Sequence, residues 1–137
     1  MISTLARQLS VVSLVIAAFA TALPAQTTGG GIDLTLNGST VGPVLTSGQL
    51  LSVVAQNTLT EDSHVFIVGS LASPVGGLSF DSLVILASQS VMPMTNVSLS
   101  FHAPLDGPNL RVALQAFALT TTGQLHASPI RVVKFRS

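Results

Sequence analysis

Glu61, Asp62 and His64 lie within four residues of one another. With His126 they are the groups of this chain best suited to acid–base or metal chemistry. An imidazole beside a carboxylate can move a proton, and an acidic pair with nearby backbone carbonyls can hold Ca²⁺ loosely. The motifs that would organise such chemistry are missing. No Gly-x-Ser-x-Gly elbow occurs, and the nearest run, Gly77-Leu78-Ser79-Phe80-Asp81, lacks the final glycine. There is no phosphate loop, dinucleotide fingerprint or His-x-x-x-His pair. A glycosidase needs two carboxylates facing one cleft, whereas Glu61 and Asp62 are chain neighbours, as in a solvated loop. The plainer account has His64 capping a strand and His126 in a solvated loop, and nothing in the spacing forces them together. No catalytic residue, metal ligand or cofactor is therefore expected. Glu61, Asp62, His64 and His126 are kept as candidates for a ligand-binding end, and a small secreted hydrolase or metal-dependent enzyme using them is the alternative.

The elements that must position these residues are strands. Residues 110–119 place Leu110, Val112, Leu114, Ala116 and Ala118 at period two on one face. Residues 120–128 are rich in turn formers, and residues 130–135 return with β-branched side chains. Leu114 is expected at the centre of the core. Upstream, strands are expected at 33–37, 49–57, 64–71, 83–87 and 97–102. The intervening turns include Asn37-Gly38, Gly76-Gly77, a loop over 88–96 and Asp106-Gly107-Pro108. About seven short strands with regular turn signals and no helical period predict an all-β, antiparallel β-sandwich of immunoglobulin-like size. If the chain reverses at each connection, Glu61, Asp62, His64, Met92–Met94 and His126 share one end of the sandwich. His102 then lies at the other.

Residues 1–25 read as a signal peptide. Arg7 precedes the uncharged apolar run 9–23, and small residues lead to cleavage after Ala25 or Ala22. The run is shorter than the roughly 20 apolar residues needed to span a bilayer. Residues 26–31, rich in Thr and Gly, are expected as a flexible linker, and residues 32–137 as one sandwich domain. The expectation is export to the periplasm, the cell surface or the medium, with no membrane association after cleavage.

Composition narrows function further. There is no cysteine, so no disulfide or zinc–thiolate site. Charged residues make up 7% of the chain, against roughly 25% in ordinary domains. The acids Asp33, Glu61, Asp62, Asp81 and Asp106 all precede the bases Arg111, Arg131, Lys134 and Arg136. This leaves no electrostatic footprint for nucleic acid. Arg131 and Lys134 are expected to guard an edge strand. The partner expected is another exported protein or a cell-surface component.

The run Val112-Ala113-Leu114-Gln115-Ala116, the glycine-containing loop, its serine and the closing Val133-Lys134-Phe135 resemble a β-sandwich module. That module ends many secreted proteins of planctomycete-type bacteria. Phe66-Ile67-Val68-Gly69-Ser70 and the Pro104…Gly107 turn extend the resemblance over residues 32–135. The resemblance implies export, an all-β fold and a non-enzymatic role, and it carries over no catalytic motif.

Overall fold

Strict alternation builds the smaller of two sheets. β2 (Ile32–Leu36), β4 (Leu50–Asn57) and β7 (Val97–His102) pair antiparallel, with β4 in the middle. The register sets Leu34 against Ala55 and Leu36 against Val53, so one face is apolar up to Asn57, which lies opposite Ile32. Asn37 and Gly38 both take positive φ (51° and 77°). Reciprocal backbone bonds of 2.8 and 3.0 Å between Leu36 and Ser39 close the tight turn that this dipeptide predicts.

The structure is a computed structural model describing residues 27–103 and 109–136. The expected signal peptide, its cleavage positions and the Asp106-Gly107-Pro108 turn lie outside the described residues. The larger sheet is centred on β8 (Leu110–Thr120), flanked on one side by β5 (Ser63–Leu71) and then β6 (Val84–Val91). On its other side β9 (Leu125–Ala127) and β10 (Arg131–Arg136) lie end to end. Two three-residue strands complete it, β1 (Thr27–Gly29) parallel to β9 and β3 (Val44–Thr46) parallel to β10. The protein is an antiparallel β-sandwich of immunoglobulin-like type, and its seven longer strands match the seven expected from alternation.

Five details differ from the sequence reading. Leu125–Ala127, expected within the turn-rich loop 120–128, is a strand paired with β8, so His126 is a half-buried strand residue and not a solvated loop residue. Thr27–Gly29, expected within a linker, is a strand, because Gly30 and Gly31 (φ 88° and 81°) let the chain step from the large sheet to the small one. The two short edge pairs are parallel, not antiparallel. Residues 88–91, expected in a loop, continue β6. The polar Ser88, Gln89 and Ser90 suit an edge strand whose context overrides intrinsic propensity. β10 is not an edge at Lys134 and Arg136, since β3 pairs with it at Lys134–Arg136. Arg131 is instead bound to the other sheet. Its Nη2 donates to Asp33 Oδ1 at 2.9 Å and its Nε to the Leu34 carbonyl at 3.1 Å.

The core sits between the sheets, where Leu34, Leu51, Val53, Val65, Ile67, Leu114 and Val133 are fully buried. β5 is apolar on both faces. Phe66 and Val68 point away from the core and join Phe117 and Leu125 in a second cluster under Leu78 and Leu83 of the β5–β6 connection.

Candidate functional site

Three loops meet at one end of the sandwich, as chain reversal predicts. The β4–β5 loop carries Glu61 and Asp62. The Thr121 amide donates to the Asp62 carbonyl at 3.2 Å, and the Met94 amide donates to the Leu59 carbonyl at 3.0 Å. The Glu61 carboxylate accepts from Thr122 Oγ1 at 3.1 and 3.3 Å. Thr122 also shares a 3.0 Å bond with Thr120. The β4–β5 loop is thereby laced to the β8–β9 turn.

His64, the second residue of β5, projects from the outer face of the large sheet. Its Nδ1 lies 2.8 Å from Ser90 Oγ and its Nε2 2.6 Å from Ser88 Oγ, both on β6. Its ring centroid is 4.6 Å from that of Phe66. Burial lowers its pKa below the ordinary 6.5, so the neutral imidazole prevails near pH 7. One serine then donates to the unprotonated ring nitrogen and the other accepts from the protonated one. Both nitrogens face hydroxyls rather than a carboxylate. Beside them a cavity of about 440 Å³ is lined by Asp62, Ser63, His64, Ser90, Met92 and Thr120, among others.

His126 shares this end and not this face. Register pairs His126 and Val65 with Ala118, while His64 pairs with Leu119. Strand alternation therefore sets the two imidazoles on opposite sides of the sheet. A Cβ built on Gly31 would lie 3.2 Å from His126 Nδ1, which locates that ring at the rim between the sheets. His102 sits at the far end, where its Nδ1 donates to the Gly48 carbonyl at 3.1 Å. Among the described residues no group of three or more His, Asp or Glu gathers where it could hold a metal ion.

The hydroxyl partners of this end, Ser88, Ser90 and Thr122, do not stand out in the sequence. The alternation of Ser88 and Ser90 would have marked one strand face had residues 88–91 been read as strand.

The sequence matches no family model and no curated relative. Solved structures do match in shape. The sulfur carrier protein SoxY from Chlorobium limicola f thiosulfatophilum superposes with a TM-score of 0.52 at 18% identity, covering 90% of this chain and 96% of that one. Fibronectin(III)-like modules of Clostridium thermocellum CbhA give 0.47 at 16%, covering 75% and 94%. The human F-spondin reeler domain gives 0.49 at 10%, covering 85% and 99%. The likeness to SoxY is one of fold, a small β-sandwich.

Proposed function

We propose that this protein is an exported, non-enzymatic structural or interaction module. Its binding end is the loop cluster around Glu61, Asp62, His64 and Met92, and its partner is another exported protein or a cell-surface component. The observation that carries this reading is the dispersal of the acid–base groups. His64 is held by two serines, Glu61 by a threonine, and His126 lies across the sheet. General acid–base catalysis needs such groups within reach of one reacting atom. The resemblance to the planctomycete-type module agrees with export. No helix among the described residues is long and apolar enough to cross a membrane.

One observation favours the alternative of a small hydrolase: a Ser90–His64 contact of 2.8 Å opening on a cavity. A panel of ester, phosphate and glycoside substrates decides between them. The expected result is no turnover above buffer for wild type, with His64→Ala, Glu61→Ala and Asp62→Ala indistinguishable from it. Reproducible hydrolysis lost in His64→Ala or in Ser90→Ala establishes the enzyme instead. Export is tested by sequencing the N-terminus of the recovered protein, expected at Gln26 or Leu23. Intact precursor in the cytoplasmic fraction defeats it.

A further inference from the structure

Among the described residues the two sheets end in edge strands of unequal character. β1 and β3 are three residues each, and β2 has five with its Asp33 engaged by Arg131. β7 has six and β6 eight. No residue of β6 is charged and none is proline. A long uncharged edge is a template for another strand, and proteins that must stay single usually blunt it with charge or proline.

β6 also has an internal pattern that fits itself. Its register with β5 slips between Ile67 and Val68, leaving Leu86 as the extra residue and Ala87–Val91 as the regular stretch. From Leu86 to Met92 the residues are Leu-Ala-Ser-Gln-Ser-Val-Met. By chemical type this run is the same in both directions about Gln89. Ser88, Gln89 and Ser90 are exposed, and so are the apolar ends, Leu86 at 40% and Met92 at 72%. Beside the strand an apolar slot of about 240 Å³ opens between the sheets, lined by Val84, Leu86, Phe101, Val112 and Leu114 over Gly69.

We propose that β6 pairs antiparallel with β6 of a second copy about a two-fold axis through Gln89, joining the two large sheets into one. That register sets Ser88 against the partner's Ser90 and Ala87 against the partner's Val91. A two-fold contact must be self-complementary, with residue i meeting j and j meeting i, and the regular stretch Ala87–Val91 satisfies that condition by chemical type. Polar residues meet at the centre, with the apolar Ala87 and Val91 on either side of them. The pairing does not depend on the absence of catalysis or on the loop end.

The chain contains no cysteine, which gives a direct test. Residues directly opposite in an antiparallel pair have Cα atoms about 4.5–5.5 Å apart, within the span of a disulfide. In soluble protein recovered from cells expressing the full chain, light scattering after size exclusion should show a dimer. Gln89→Cys should form an oxidised dimer, while Ser98→Cys on the β7 edge should not. Gln89→Lys sets two like charges on the axis and should weaken association roughly tenfold or more, with its melting temperature confirming that it folds. Ser98→Lys should remain dimeric. A monomeric wild type, a dimer surviving unchanged in Gln89→Lys, or cross-linking through Ser98→Cys at least as fast as through Gln89→Cys each overturns the pairing. None of these results bears on the binding-module reading, which the substrate panel tests.

Discussion

His64 and Arg131 carry polar chemistry that the fold puts to structural use. Burial depresses the His64 pKa, so the unfolded chain takes up its proton more readily than the folded one. The stability His64 contributes is therefore complete above about pH 6.5 and is lost as pH falls through the folded value. Urea midpoints measured above pH 7 and near pH 5 should fall with acid in wild type. His64→Gln should flatten that fall. Arg131 works between the sheets. Its side chain is 18% exposed and that of Asp33 is 42% exposed, so solvent screening keeps the ion pair itself small. The bond to the Leu34 carbonyl adds to it. Arg131→Met should cost about 1–2 kcal/mol in urea denaturation, and Arg131→Lys should recover part of the loss. The sequence placed Arg131 on the correct strand. It could not show that the guanidinium reaches Asp33, 98 residues away, because that contact exists only once the sheets are stacked.

At the scale of elements, β3 decides whether β10 is an edge. The chain reaches β3 through Gly42, where an added Cβ would stand 1.6 Å from the Val132 carbonyl oxygen. The Lys134 amide donates to the Pro43 carbonyl at 3.0 Å. Gly42→Ala cannot be absorbed by a side-chain rotation, since the obstacle is backbone. It should cost about 1–3 kcal/mol and lift β3 from β10. Hydrogen exchange should then show the Lys134 amide losing protection while β5 and β8 keep theirs. Replacing Arg131 and Lys134 with Val leaves β3 in place, so that change should lower stability without opening an edge for association. The seven longer strands were legible because alternation and turn residues are local signals. The three short strands were not, because three residues carry no period and their pairing comes from distant partners.

For the molecule as a whole, stability rests on β8. It pairs with β5 along nine residues and with β9 and β10 on its other side. Leu114 at its centre is fully buried, as alternation predicts. Leu114→Ala should cost about 2–5 kcal/mol, a large part of the roughly 5–15 kcal/mol that holds a domain together. A steep drop in urea midpoint checks it. Exposed Val75 offers the contrast, because Val75→Ala removes almost no buried surface and should be nearly neutral.

Period-two alternation and turn chemistry determined that this chain folds as a β-sandwich with Leu114 in its core. Each of these is a property of neighbouring residues, and burial follows directly from it. Chain reversal likewise brought Glu61, Asp62, His64 and His126 to one end. Tertiary structure alone decided what they do there. A shift of one residue in register exchanges the faces of a strand. The pairing of β8 with β5 and β9 sends His64 outward to Ser88 and Ser90, and His126 to the other side of the sheet.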